Sequence, residues 1–201
     1  MNLTEERYSQ FALCREMLQA PEIVSGFDAT SLSGIGAAIA AAGRMLMTGE
    51  GSSRIFPAKS VMTHARRSGW AIELATEAGR QTSEYDLAAW AVFALSNSGQ
   101  TAEVIRLFKK LQAEGHGRRY SLSAKPNSTL EQMATQGFVL SCGKEDAVAA
   151  TKSVVEQALF YRAALEHAVG RPALAGRLSD LALKIEAALT ATIDPKLIER
   201  I

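Results

Sequence analysis

The 201-residue sequence has no surplus of charge of either sign. Its 22 lysine and arginine residues stand against 21 aspartate and glutamate residues, which leaves a net charge of +1. Proteins that bind nucleic acid non-specifically neutralise several phosphates with basic side chains, so this balance argues against that class. Hydrophobic residues make up 47% and charged residues 21%, and these ordinary globular values exclude a disordered tail and a fibrous repeat.

Cysteine is scarce as well, and long apolar runs are missing. Cys14 and Cys142 form no C-x-x-C pair, which argues against a zinc site or a redox pair and makes a reducing cytoplasm the expected setting. No apolar run reaches the roughly 18 residues of a membrane helix, and residues 1–6 are acidic rather than signal-like. We therefore expect a soluble cytoplasmic protein without a metal, a membrane partner or a nucleic-acid partner.

Short apolar stretches alternate with helical patterns along the chain. The predicted strands are 44–48, 70–74, 89–95, 119–123 and 137–141. Strand 89–95 is apolar without alternation, which is typical of a strand buried on both faces. Strands that alternate with helices predict a parallel sheet with helices on both faces. We therefore predict a three-layer α/β/α fold with a five-stranded parallel sheet.

Helical patterns lie before, between and after these strands. A first helix is predicted from the capping residue Thr4 to Gln19-Ala20-Pro21. A long helix is predicted from Asp146 to Val169, with Val148 on one of its two apolar strips. The other predicted helices cover about 29–42, 53–67, 101–112, 128–135 and 174–189.

The same pattern predicts one domain over residues 1–201. Residues 44–170 form its α/β core, residues 1–43 form N-terminal helices, and residues 171–201 form a C-terminal helical extension. Apolar stripes on the two outer segments predict a homodimer or a higher homo-oligomer.

Two strand ends are followed by loops rich in glycine and hydroxyl groups, residues 49–53 and residues 96–103. Ligands of such sheets bind beyond the carboxyl ends of the strands, and glycine lets a backbone approach a ligand closely. The hydroxyls of Ser96, Ser98 and Thr101, together with unpaired N–H groups at the start of the next helix, predict a neutral cradle for a phosphate group.

A dinucleotide site is the main alternative from the residues alone. Gly49 and Gly51 follow a strand, and Glu73 or Glu77 lies where a ribose-binding acid would be expected. Arg54 occupies the position of the third glycine, however, and this interpretation leaves residues 96–103 unexplained. The phosphate cradle accounts for both loops.

These loops resemble those of the sugar isomerase (SIS) domain family. Residues 49–53 are similar to its G-x-G-[ST]-S first loop, and residues 96–103 to its S-x-S-G-x-T-x-E phosphate loop. Residues 145–153 and 15–21 resemble the E-x-x-V-A-x-T-K and K-E-I-x-E-Q-P stretches of the branch that contains the isomerase half of glucosamine-6-phosphate synthase. The resemblance covers about residues 14–165 and implies a flavodoxin- or Rossmann-like fold.

The resemblance implies a sugar phosphate as the ligand and no cofactor. The implied contacts come from the first loop, the phosphate loop and the segment along the sugar: Gly51, Ser52 and Ser53; Ser96, Asn97, Ser98, Gln100 and Thr101; Val148, Ala150 and Lys152. The family usually has Gln or Arg in place of Asn97, and the branch often has Ser in place of Ala150, so those two contacts are expected to differ. Lys152 is expected to form either a structural salt bridge or a ligand contact.

Aldose–ketose isomerisation needs a base near the first two sugar carbons and a group that opens the ring. Glu77 lies in a stretch that resembles the family's A-x-E-F loop and is the candidate catalytic residue, with a helix-start acid as the alternative. Glu145 is predicted to be a cap or a loop anchor. None of His64, His116 and His167 has the position of an obvious ring-opening group.

Two functions stay open at this point. One is a phosphosugar isomerase, deaminase or deglycase that acts on a hexose or hexosamine 6-phosphate through an enediol. The other is a non-catalytic phosphosugar-sensing or regulatory module. The two-lobed enzymes that the sequence resembles carry a G-E-L-K-H-G-P-like segment in a second lobe, and this segment does not occur here. A second copy or a partner is therefore expected to complete an active site.

Overall fold

A computed structural model describes residue 3 and residues 5–192 and contains one five-stranded sheet in which every strand pair is parallel. The strands are Arg44–Gly49 (β1), Glu73–Ala78 (β2), Ala91–Leu95 (β3), Arg119–Ser123 (β4) and Gln136–Val139 (β5). Their order is β2-β1-β3-β4-β5. In this topology the strand order reverses between β1 and β3, and ligands bind outside the carboxyl ends of the strands at such a point.

Helices connect the strands and cover the sheet. Those before the sheet are Glu6–Ser9 (α1), Ala12–Leu18 (α2), Ala20–Gly26 (α3) and Ser33–Ala42 (α4), the last preceded by a 3-10 turn at Thr30–Leu32. Those within and after it are Ser52–Arg67 (α5), Gly79–Thr82 (α6), Ala102–Ala113 (α7), Thr129–Met133 (α8), Lys152–Ala168 (α9) and Leu178–Thr190 (α10), with a 3-10 turn at Ala175–Arg177.

Both faces of the sheet are buried. In β1, Met45 and Met47 belong to the apolar core on the side of α4, α5 and α9, whereas Leu46 belongs to the core under α7 and α8. Successive residues of a strand point to opposite faces, so a strand covered on both sides favours apolar residues at consecutive positions, as in β3. The predicted three-layer fold with five parallel strands is confirmed, and all five residues of β3 are buried.

Three predicted elements differ from the structure. The first predicted helix ends where the sequence indicates, because α2 ends at Leu18, but it is broken into α1 and α2 at residues 10–11. A further helix, α3, begins directly at Ala20, since proline is tolerated in a first helical turn. The second strand is Glu73–Ala78 rather than 70–74. The long helix begins at Lys152 rather than Asp146, so Val148 lies in an irregular loop and is fully exposed.

Some expectations concern residues outside the described part of the chain. Thr4, predicted as a helix cap, and residues 193–201 of the predicted C-terminal extension are among them. Within the described residues, no single helix has the length and apolar character needed to cross a membrane. Taken together, the segments Ala12–Gly26 and Thr30–Ala42 have enough length and apolar character, but they are bent by 67° relative to each other.

Candidate functional site

A cavity of about 530 Å³ opens beyond the carboxyl ends of β3, β4 and β5. Its volume lies in the range of small-molecule sites. The lining comes from the three loops that follow these strands: Asn97, Ser98, Ala124, Lys125, Pro126, Lys144, Glu145, Ala147, Val148 and Ala150. The cavity therefore lies at the edge of the sheet where folds of this kind bind ligands.

The loop after β3, residues 96–101, brings three hydroxyl groups together, and we call it the hydroxyl loop. The Oγ of Ser96 lies 2.7 Å from the Oγ1 of Thr101 and 3.5 Å from the Oγ of Ser98. Thr101 is the N-cap residue of α7 but makes no side-chain cap hydrogen bond, because its hydroxyl pairs with Ser96. The first N–H groups of the 12-residue helix α7 therefore face the loop without a side-chain cap.

Gly99 sets the curvature of the hydroxyl loop. Its φ angle is +63°, and a Cβ atom here would lie 2.2 Å from the Cβ of Ser128. Both the backbone angle and the close approach require glycine. Beside it, the Gln100 and Thr129 side chains exchange hydrogen bonds of 2.9 and 3.1 Å. The loop is thus braced against the start of α8, and Gln100 takes part in this bracing.

Asn97 connects the hydroxyl loop to α9. Its Nδ2 donates to Glu145 Oε2 at 2.7 Å and lies 2.8 Å from the Oγ of Ser153, while its Oδ1 accepts from Gln157 Nε2 at 3.1 Å. Asn97 lines the cavity, yet both ends of its side-chain amide are engaged with protein groups.

Glu145 is the centre of this network. It accepts hydrogen bonds from the backbone N–H and hydroxyl of Thr151, at 2.9 Å each, and from those of Ser153, at 3.0 and 2.5 Å. Burial raises the pKa of the Glu145 carboxyl, but the hydrogen bonds from Ser153 and Thr151 outweigh burial, and the pKa is lowered. An ionised carboxylate with both oxygens occupied anchors the loop, as the sequence predicted, and is poorly suited to act as a base.

The loop after β5 supplies an apolar wall. We call residues 146–150 the wall segment; it has no regular secondary structure and contributes Ala147, Val148 and Ala150 to the lining. Lys152 follows it, is only 8% exposed, and donates from Nζ to Gln19 Oε1 at 2.8 Å. The hydrogen bond from Lys152 to Gln19 is therefore a structural contact, although it is not a salt bridge.

The first loop lies beside the cavity rather than in its lining. Gly49 pairs with Leu95 of β3, and a Cβ atom on Gly49 would lie 2.8 Å from the Leu95 carbonyl oxygen. Gly51 has a φ of +58° and precedes α5, whose first residues, Ser52 and Ser53, are half-buried. Because β1 and β3 are neighbours, this loop and the hydroxyl loop flank the point where the strand order reverses.

Glu77 lies on the edge strand β2, away from the strands whose loops line the cavity. It lies within β2, opposite Thr48, whose hydroxyl donates to the Glu77 carbonyl at 2.8 Å. It is therefore a strand residue and not a helix-start acid. The edge strand β2 is separated from β3 by β1, and Glu77 is not part of the cavity lining.

The histidines pair with groups away from the cavity lining. The Nε2 of His64 lies 3.0 Å from the Ser68 hydroxyl, while those of His116 and His167 lie 2.8 and 3.0 Å from backbone carbonyl oxygens. His64 is half-buried against Trp70 rather than a free surface residue. Within residues 3 and 5–192, no group of three His, Cys, Asp or Glu side chains is arranged to hold a metal ion.

Cys142 lies near the start of the loop after β5 and is buried. Burial and the neighbouring Glu156 carboxylate raise the pKa of its thiol to about 12. A nucleophilic cysteine needs its thiolate form, and the raised pKa disfavours that form in Cys142.

Sequence reasoning missed the loop after β4 and the role of α2. Ala124, Lys125 and Pro126 line the cavity, and the rule that ligands bind beyond strand ends applies to β4 as well. Glu16 of α2 is buried and accepts hydrogen bonds from the wall segment. Nothing local in the sequence indicates that second contact, because 130 residues separate the partners.

Solved structures with the same fold come from several bacteria. A provisionally assigned phosphosugar isomerase from Silicibacter pomeroyi DSS-3 has a TM-score of 0.72 at 19% identity, with 88% of this chain and 56% of that chain covered. The Escherichia coli CFT073 protein c3406, in complex with a sugar phosphate, has a TM-score of 0.64 at 21% identity, with 94% and 97% covered. The C-terminal domain of glucosamine-fructose-6-phosphate aminotransferase from Francisella tularensis has a TM-score of 0.64 at 15% identity, with 92% and 55% covered.

The chain thus spans about half the length of the first and third of these structures and nearly all of the second. No curated protein matches the sequence. The family model for the SIS domain matches residues 38–167, which include β1, the hydroxyl loop, the wall segment and most of α9. With this match over more than half of its length, the chain belongs to the SIS domain family.

Proposed function

We propose that the chain binds a sugar phosphate, with the phosphate in the hydroxyl loop and the sugar against the wall segment. The observation that supports this most strongly is the convergence of the Ser96, Ser98 and Thr101 hydroxyls at the uncapped start of α7. Hydroxyl groups and the N-terminus of a helix bind phosphate without a basic patch, which agrees with the near-neutral charge of the chain.

Further features of the site agree with a phosphorylated ligand. Lys125 lies in the cavity lining, and its positive charge attracts an anion to the cavity. The neighbour c3406 is in complex with a sugar phosphate, and the S. pomeroyi neighbour is a provisionally assigned phosphosugar isomerase. In this proposal Gly51, Ser52 and Ser53 contact the ligand from the side of β1.

We propose further that the protein is a phosphosugar isomerase acting on a hexose or hexosamine 6-phosphate, with Glu77 as the base that removes a proton on the way to an enediol. This chemistry needs no metal or nucleotide. Glu77 lies on β2, on the side of the hydroxyl loop opposite to the wall segment. It can therefore act as the base only if the reacting carbons of the sugar lie over β1 while the rest of the sugar contacts the wall segment.

A non-catalytic phosphosugar sensor is the second candidate, and one observation favours it. The cavity lining in the described residues contains one carboxylate, that of Glu145, and both of its oxygens accept hydrogen bonds. If the protein is an enzyme, a second copy of the chain is proposed to complete the site in a homodimer or larger assembly.

A thermal-shift screen tests the binding function directly. Arabinose 5-phosphate, fructose 6-phosphate and glucosamine 6-phosphate are the test ligands, with NAD and ATP as controls for a nucleotide site. At least one sugar phosphate is expected to raise the melting temperature, and NAD and ATP are expected to leave it unchanged. If no sugar phosphate raises the melting temperature, the proposal is contradicted. NMR then tests whether the protein interconverts an aldose phosphate and a ketose phosphate. Interconversion supports the isomerase, and binding without interconversion supports the sensor.

A further inference from the structure

The wall segment is held by an N-terminal helix that precedes the family-model match. Glu16 of α2 is only 6% exposed. Its Oε1 accepts the backbone N–H groups of Asp146 at 2.5 Å and Ala147 at 3.1 Å, and its Oε2 accepts the Thr151 hydroxyl at 3.1 Å. One side chain therefore spans both ends of the segment that forms the apolar wall.

Burying a carboxylate is costly unless hydrogen-bond donors compensate for the lost water. Glu16 accepts hydrogen bonds from two backbone N–H groups and one hydroxyl. The two N–H groups belong to the wall segment, where no helix or strand supplies an acceptor for them. The two N–H groups belong to consecutive residues, so their shared acceptor fixes the orientation of the backbone immediately before Val148. The position of Val148 at the cavity thus depends on Glu16.

Two more contacts secure the same region. The Thr151 hydroxyl also lies 2.9 Å from Glu145 Oε1, which places it between the carboxylates of Glu16 and Glu145. At the end of α2, its C-cap residue Gln19 accepts a hydrogen bond from the Lys152 ammonium group at 2.8 Å. Glu16 and Gln19 together attach α2 to the end of the wall segment and to the start of α9.

We infer that Glu16 is a positioning residue, which holds the wall segment in the geometry that receives the sugar part of the ligand. This inference rests on the proposed phosphosugar site and adds to it a structural element outside residues 38–167. In this inference the phosphate and the sugar of the ligand bind to different parts of the site. The phosphate binds to the hydroxyl loop, which Glu16 does not contact, and the sugar binds to the wall segment, which Glu16 does contact.

That separation gives a direct test. The binding of inorganic phosphate and of the best sugar phosphate from the screen is compared in wild type, Glu16→Ala and the control Glu22→Ala, an exposed acid on α3. Glu16→Ala is expected to weaken sugar-phosphate binding by about tenfold or more and to change phosphate binding by less than about twofold, since one charged hydrogen-bonding partner is lost. Glu22→Ala is expected to change neither.

Equal losses for the two ligands, or no loss for either, would overturn the inference. If wild type binds phosphate but no sugar phosphate, the proposed function fails, and hydrogen exchange without ligand still decides the role of Glu16. Faster exchange confined to residues 143–151 in Glu16→Ala supports it, and unchanged exchange there refutes it. If Glu16→Ala does not fold, Glu16→Asp replaces it in both measurements, because the shorter side chain withdraws the carboxylate from the two N–H groups.

Discussion

The Nδ2 of Asn97 lies 2.7 Å from the Oε2 of Glu145. This hydrogen bond joins the loop after β3, which carries the converging hydroxyls, to the loop after β5, which carries the apolar wall. The two sides of the cavity are therefore coupled through one half-buried carboxylate, that of Glu145, and a change at that carboxylate is expected to affect both.

Glu145→Gln is expected to lower the free energy of unfolding by about 1–3 kcal/mol, because an amide N–H₂ must then oppose at least one of the donors around the site. The donors are the Asn97 amide and the backbone and hydroxyl groups of Thr151 and Ser153. Urea unfolding measures the change. Glu186→Gln, at an exposed position on α10, is the control and is expected to be neutral. Equal stabilities of all three proteins would contradict the anchoring role.

The effect of Glu145→Gln is also expected to depend on pH. The pKa of Glu145 in the folded protein is lowered from its ordinary value of 4.5, so ionisation stabilises the folded state. This stabilisation is fully present above about pH 4.5 and is lost as the pH falls through the folded pKa. The stability difference between wild type and Glu145→Gln should therefore shrink on acidification, as followed by urea unfolding at several pH values. A difference that grows towards low pH would contradict this assignment.

Gly99→Ala is expected to destabilise the protein by at least about 1–2 kcal/mol, the cost of a left-handed conformation in a residue with a side chain. The approach of Ser128 adds to this cost. Gly34→Ala is the matched control, because Gly34 lies in α4 with open space around its Cβ position and alanine favours a helix by about 0.5–1 kcal/mol. Thermal unfolding distinguishes the two. A neutral Gly99→Ala would show that the loop does not need this conformation.

The exposed apolar side chains of the outer segments predict self-association. Phe11 is 56% exposed and Leu183 is 64% exposed, and these residues lie in the two segments from which the sequence predicts a homodimer. Wild type is expected to have the mass of two or more chains in light scattering at micromolar concentration. Phe11→Ser and Leu183→Ser should lower that mass, whereas Tyr85→Ser, an exposed aromatic elsewhere, should not. A monomeric wild type would refute the prediction.

Glu77→Gln tests the catalytic assignment. If the protein interconverts an aldose and a ketose phosphate, this substitution is expected to abolish turnover while leaving the affinity for the sugar phosphate largely intact, because it removes a base and not a binding group. Glu73→Gln, at the other end of β2, is the control. Turnover that survives Glu77→Gln would remove Glu77 from the mechanism.

Much of the sheet could be predicted because a strand buried on both faces has a recognisable local sequence pattern. The uniformly apolar stretch that forms β3 is such a pattern. Strand β2 was misplaced because it is an edge strand with half-buried polar residues such as Thr76 and Glu77. The apolar residues at 70–74 suggested a strand there, but Trp70 packs against His64 and Arg162 instead.

The candidate site could be predicted where its residues are contiguous in the sequence, as in the hydroxyl loop. The start of α9 could not, because the N–H groups of Asp146 and Ala147 bond to Glu16 and that of Thr151 bonds to Glu145, all outside a helix. The contact with Glu16 joins residues 130 positions apart in the sequence, and helical periodicity carries no information about it.

If the hydroxyl loop binds the phosphate of a sugar phosphate, Ser98→Ala must weaken that binding, and titration calorimetry measures the loss. Ser98 is exposed at the cavity, so its removal should leave the fold intact. Ser98→Ala is expected to lose about 1–3 kcal/mol in binding free energy for the best sugar phosphate of the screen, and the exposed control Ser60→Ala is expected to lose none. Unchanged affinity in Ser98→Ala would contradict phosphate binding by the hydroxyl loop.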